Sequence, residues 1–219
     1  MWKSRVLKPS ASIDKVIVSE AMGDPPYGGL PGAVQAFVMQ ALSAEYVPGE
    51  LPREALIASH TLAYEAEVYN GGHVSGFLGN LGIDNARWDL IAEGLDRVGL
   101  PGSAAIFADF RAFARKHPLR FRSWKREYPQ YDPFFEELDS RVSAEPQYCI
   151  VLALHAWLED KPWIEQIPDS DYRALNVARC LVPPHPLQQQ RRDLRAPRVE
   201  ADMRALRKAL LKGRGKQRG

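Results

Sequence analysis

The sequence predicts an all-α fold: a single multi-helix bundle of roughly six to eight helices that carries a basic, amphipathic C-terminal helix or tail. Three observations predict it. Apolar residues recur at helical spacing through most of the chain, period-2 alternation is almost absent, and proline and glycine fall between the periodic segments. An apolar fraction of 45% is enough to build a sizeable core.

Residues 1–31 are poorly patterned. Ile13 and Val16 to Val18 suit one short strand or a helical turn, and the run from Gly23 to Gly29 is loop chemistry. Val34, Phe37, Val38, Ala41 and Leu42 then share one helix face. Pro48-Gly49 ends that helix, and Pro52 suits the start of the next, where its missing N–H is not needed. Leu56, Ile57, Ala63, Tyr64 and Val68 line the inner side of this second helix, which is predicted to stop at Asn70-Gly71-Gly72.

A short apolar segment, Val74 to Leu81, follows. Asp84 is a plausible N-cap for a helix bearing Trp88, Ile91, Ala92, Leu95 and Val98, closed by Gly99. Pro101 opens another, with Ile106, Phe107, Phe110, Phe113 and Ala114 inward, and Arg115, Lys116 and His117 in its last turn. Asp132-Pro133 starts a helix with Phe134, Phe135, Leu138 and Val142. Residues 147–158 are apolar nearly all round, which predicts a central helix. Residues 169–180 form a further short helix, and Pro183-Pro184-His185-Pro186 reads as a hinge. The domain reading is therefore an N-terminal segment 1–31, an all-helical domain 32–182, and a Pro-rich hinge with a basic helical tail, 183–219.

Charge is unevenly placed. Residues 188–219 hold 11 basic and 3 acidic residues, net +8, whereas the rest holds 18 basic and 24 acidic, net −6. Within the tail Val199, Met203, Leu206 and Leu210 form an apolar stripe opposite Arg204, Arg207, Lys208 and Lys212. A second basic region, with Arg115, Lys116, Arg120, Arg122, Lys125 and Arg126, interleaves with Phe113, Phe121, Trp124 and Tyr128, a composition that can stack on single-stranded bases. Both regions are candidates for nucleic-acid or partner binding. Cys149 and Cys180 match no disulfide or ligand spacing and read as small buried hydrophobes. With no signal peptide at the start and no apolar run long enough to span a membrane, a cytoplasmic location is expected.

No catalytic residue, cofactor site or metal site is assigned. His60, Glu65, Glu67 and His73 are the only His/carboxylate grouping of note, but Tyr64 stands four residues after His60, where a helical metal pair needs a second histidine. His155 lies on the most apolar helix and reads as a core histidine. There is no nucleophile elbow and no phosphate-binding loop.

The most distinctive stretch is Glu67-Val68-Tyr69-Asn70-Gly71-Gly72-His73, followed by Phe77 and Asn80. One of the two paired glycines is expected at positive φ, Glu67 is expected to find a partner in the turn, and Asn80 is placed to bridge back to it. These residues read as a corner lock, with a polar binding pocket as the alternative. The stretch resembles a bacterial domain family of unknown function, the DNA-mimic-protein C-terminal-like family, whose signature runs Glu-Val-x-Asn-Gly-Gly. Glu67, Val68, Asn70, Gly71, Gly72, Phe77 and Asn80 match it. His73 stands where the family usually has an aromatic residue, and Gly76 where it usually has a larger one. Phe134 to Asp139 resembles a later "Leu-Asp" helix start of the same family.

The resemblance implies an all-α fold, no known catalysis and a protein partner, with homodimerisation one form of partnership. An acidic body carrying a basic tail does not present the dense negative surface that DNA mimicry requires. The function expected is a protein-interaction or regulatory module. Nucleic-acid binding through the tail and the Arg115 to Arg126 region is the alternative, and an enzyme with a site at the Asn-Gly-Gly corner is a second.

Overall fold

The computed structural model describes residues 11–25, 29–118, 132–178 and 180–195. In chain order they form strand β1 (Val16–Ser19), helix α1 (Leu30–Ser43), a 3₁₀ turn (Pro48–Glu50), α2 (Arg53–Gly71), a wide π-type helical segment (Gly72–Leu81), α3 (Asn85–Arg97), α4 (Pro101–Lys116), α5 (Pro133–Ala144), α6 (Cys149–Leu158), strand β2 (Ile164–Ile167), α7 (Asp169–Val177) and α8 (residues 188–195). The fold is a helical bundle with one short pair of strands.

Local chemistry sets the helix boundaries. Asp84 caps α3 by accepting from the N–H groups of Ala86 and Arg87, at 3.1 and 3.3 Å. Asp132 caps α5 through the Phe134 N–H, at 3.1 Å. Gly99, at φ 72°, separates α3 from α4, and Pro101 opens α4.

The 19-residue helix α2 is the axis of the bundle and contacts α1, the π-type segment, α3 and α6. Its buried side includes Leu56, Ile57, Tyr64 and Val68. Helix α6, read from the sequence as central, lies to one side. Ile150, Val151, Leu154 and Leu158 are buried, but Leu152 is 47% exposed. Trp157 is covered by the Lys161 ammonium, 4.4 Å from its ring centre. An all-round apolar helix can thus sit at the edge when a lysine stem shields its outer face.

Strands β1 and β2 pair in parallel, Val16 opposite Ile164 and Ser19 opposite Ile167. Val16 and Val18 point inward and are fully buried, which decides between the strand and the helical turn left open by the sequence. β2, with the sequence Ile-Glu-Gln-Ile, carries no strong apolar pattern and has no counterpart in the sequence reading. Two further readings change. Cys180 is exposed instead of buried. His185, within the segment read as a hinge, is 2% exposed and bonded to Glu50.

Helices α2 and α3 cross closely at Gly94. A Cβ there would lie 2.0 Å from Thr61 Oγ1 and 3.1 Å from Ile57 Cγ2. Gly94→Ala is expected to lower stability by about 2 kcal/mol through overpacking. Adding Thr61→Ala should recover part of the loss, so urea midpoints of the two single variants and the double variant measure the coupling. Additive effects would contradict the contact.

Candidate functional site

The Asn-Gly-Gly corner is built by a helix that does not stop where its glycines begin. α2 runs through Asn70 to Gly71, Gly72 closes it at φ 69°, and the chain continues at once into the π-type segment. That segment folds back over the end of α2. A Cβ on Gly76 would stand 1.8 Å from the Glu67 carbonyl oxygen, and one on Gly71 would stand 2.9 Å from the Gly76 nitrogen. Glycines let the two backbones meet.

Asn80 Nδ2 donates to Glu67 Oε2 at 2.6 Å, closing the outer side of the corner. The partner of Glu67 is thus the Asn80 side chain, in place of the turn N–H groups that the helix dipole suggested. Asn70 is exposed. Tyr69 and Ile83 add exposed apolar area nearby, at 42% and 44%.

His73 is fully buried. Its Nδ1 lies 2.6 Å from Asp139 Oδ1, its backbone N–H donates to the same oxygen at 3.0 Å, and its Nε2 lies 3.0 Å from the Tyr64 hydroxyl. A carboxylate can only accept, so Nδ1 carries the ring proton. In the neutral ring Nε2 then accepts from Tyr64. Burial pushes the Tyr64 phenol far above its usual range, which keeps it a donor. Gly72 lies so close to Asp139 that a Cβ there would be 2.2 Å from Oδ2. The glycine therefore both turns the chain and admits the carboxylate.

The Tyr64–His73–Asp139 chain has the order of an acid–base relay, but its surroundings are aromatic. His73 sits 5.3 Å from the Phe110 ring, and Tyr64 packs edge-on to Phe77 and Phe107 at 5.2 and 4.9 Å. Phe77, from the motif, is fully buried at the middle of this cluster. The cavity that Tyr64 borders, with Glu65, Tyr69, Ser103 and Cys149, measures about 20 Å³, room for a single water.

The His/carboxylate grouping seen in the sequence is dispersed. His60 is depressed to about 4 by burial and by Arg87. Glu65, 6% exposed, reaches the first turn of α6, where its two oxygens accept from the Ile150 and Val151 N–H groups at 3.0 Å each. These are donors that a helix N-terminus leaves unpaired. Cys149, beside them, has its thiol pushed up by burial, which opposes a nucleophilic role. Among the described residues no three His, Cys, Asp or Glu side chains gather as metal ligands would.

Burial also raises the Glu65 pKa, outweighing the two backbone hydrogen bonds. A folded-state pKa above the unfolded one means that the folded state binds the extra proton. The stability contributed by Glu65 is therefore greatest below its ordinary value of 4.5 and falls as pH rises through the raised value. The wild type's unfolding free energy relative to Glu65→Gln should decline across that window. Urea titrations at a series of pH values measure it, and a flat difference would contradict the burial.

The basic candidates fall differently. Arg120, Arg122, Lys125, Arg126, Arg204, Arg207, Lys208 and Lys212 lie outside the described residues. Phe113, at the edge of the first region, packs inward in a stack with Phe134 at 4.1 Å. In the tail, Arg191 and Arg195 bond to Glu50 and Glu45 of the domain.

Residues 49–161 match the family model described as DMP19-like protein. The chain belongs to that family. The matched region includes α2, the corner, Asp139 and α6, so the Tyr64–His73–Asp139 chain lies inside the DMP19-like part, whereas α1, both strands and the tail lie outside it. The resemblance drawn from Glu67 to Asn80 thus leads to a DNA-mimic family. No curated protein and no solved structure matches the chain. Among the described residues no helix is long and apolar enough to cross a membrane.

Proposed function

We propose that this DMP19-like chain is a non-catalytic protein-interaction or regulatory module. The observation that carries the reading is how the corner's polar groups are used. Both ring nitrogens of His73 are committed inward, Glu67 is committed to Asn80, and the adjoining cavity admits one water. This arrangement supports the corner lock over a pocket that holds a substrate.

The charge pattern argues against DNA mimicry within this member. On the described surface, several carboxylates are paired with arginines: Glu93 with Arg53, Glu54 with Arg97, Asp89 with Arg111 and Asp109 with Arg141. A row of regularly spaced, unopposed negative charges is what a DNA-binding surface would need to meet. The nucleic-acid alternative is weakened by the use of Arg191 and Arg195 within the domain.

Affinity capture with the full-length chain, after nuclease treatment of the lysate, tests the proposal. A protein recovered in stoichiometric amount and insensitive to nuclease is the expected result. Recovery of the bait alone, or of nucleic acid lost as salt rises, would overturn it.

A further inference from the structure

The loop between α1 and α2 holds two buried carboxylates, Glu45 and Glu50, 8% and 1% exposed. Both are placed by the loop itself. The Glu45 N–H donates to the Leu42 carbonyl and the Tyr46 N–H to the Ala41 carbonyl, which is the hydrogen-bond pattern of a Schellman helix end. The left-handed position in that motif suits glycine, yet Glu45 occupies it at φ 72°. What the strained residue adds is its carboxylate. Glu50 is fixed from the other side, accepting the Val47 N–H at 2.9 Å.

Helix α8 supplies the cations. Arg191 donates to Glu50 through both terminal nitrogens, at 2.7 Å each, and to the Glu45 carbonyl at 2.5 Å. Arg195, one turn on, donates to the Glu45 carboxylate at 2.5 Å, with Arg192 3.6 Å from the same oxygen. His185 completes the set. Its Nδ1 accepts the Leu187 N–H at 2.9 Å, so its Nε2 donates to Glu50, at 3.2 Å. Tyr46 packs edge-on to the same ring.

No residue of 188–195 is buried, and Leu194 is 63% exposed. Eight helical residues with so little buried surface need outside contacts to be held in place. Over its described residues α8 is therefore held by arginine–carboxylate pairing with almost no apolar burial. Contacts of that kind can be made equally by another helix carrying the same cations.

We infer that the Glu45–Glu50 loop is a receptor for an arginine-bearing helix, that α8 occupies it as a releasable latch, and that the partner it fits is a basic helix presenting two arginines four residues apart. The loop's own hydrogen bonds hold the Glu50 carboxylate and set the backbone of Glu45, so an incoming helix meets a largely formed site. The inference does not depend on what the glycine corner binds.

The test uses the full chain and a labelled synthetic peptide of residues 183–195. The Arg191→Gln/Arg195→Gln double variant has its own latch disabled and should bind the peptide at least tenfold tighter than the unaltered chain. Adding Glu50→Gln should abolish that binding. Absence of binding to the double variant, or equal binding by both chains, would overturn the inference. A measurement on the unaltered chain covers the case in which the variant misfolds. Excess peptide should speed amide exchange over residues 180–195 and leave α2 unchanged, and no change over 180–195 would equally overturn it.

Discussion

Gly76→Ala is expected to cost on the order of 3 kcal/mol or more, the largest loss from adding a single methyl group at the corner. The added carbon would stand 1.8 Å from the Glu67 carbonyl oxygen, and that oxygen belongs to the backbone of α2, so no rotamer change relieves the clash. Either the π-type segment lifts away, exposing Phe77, or α2 frays back from Gly71. Gly79→Ala is the control. Its Cβ would meet only the Val74 carbonyl, at 3.5 Å, an ordinary contact, and a change under about 1 kcal/mol is expected. Urea unfolding followed by circular dichroism separates the two. A Gly76→Ala protein as stable as the Gly79→Ala one would contradict the fold-back. The position has an added interest, because the family resemblance places a larger residue there.

His73 gives the second large effect. His73→Ala removes a fully buried ring from between Tyr64, Phe110 and Asp139 and is expected to cost about 4 kcal/mol, from the cavity and the polar groups stranded around it. His73→Phe restores the aromatic residue usual in the family and keeps the contact with Phe110. It still leaves the Tyr64 hydroxyl buried without its partner, and the expected cost is about 2 kcal/mol. The order wild type, Phe, Ala in denaturant midpoint is the measurable outcome. A Phe variant equal to the wild type would mean that the hydrogen bonds contribute nothing and that only the ring matters.

Most helices were legible because their ends are written locally. Asp84, Asp132, Gly99 and Pro101 stand at helix ends in the sequence and in the structure. The corner was legible as a location, since Asn70-Gly71-Gly72 marks a turn by composition and Gly72 does take positive φ. Its workings were not. His73 looks like any lone histidine in sequence, and its partners lie 9 and 66 residues away. Asp139 was visible only as part of a helix start resembling the family's. Glu65 stands in the sequence only as a carboxylate between His60 and His73, a grouping whose spacing fails for a metal site, and nothing there points to α6. The N–H groups it binds are 85 and 86 residues distant. Glu50 and Arg191, 141 residues apart, carry no mutual signal in sequence, since each resembles an ordinary surface charge.

The parallel strand pair has a consequence for how the protein is made. Ser19, at the end of β1, bonds to Asp169, 150 residues further on, and β2 ends just before that aspartate. At ordinary translation rates of about 5–20 residues per second, β1 leaves the ribosome roughly 7 to 30 seconds before the strand it pairs with. Throughout that interval the backbone N–H and C=O groups along the edge of β1 that β2 will cover remain unpaired. The sheet can therefore close only after the helices between its two strands have been made, which makes it a late step of folding during synthesis.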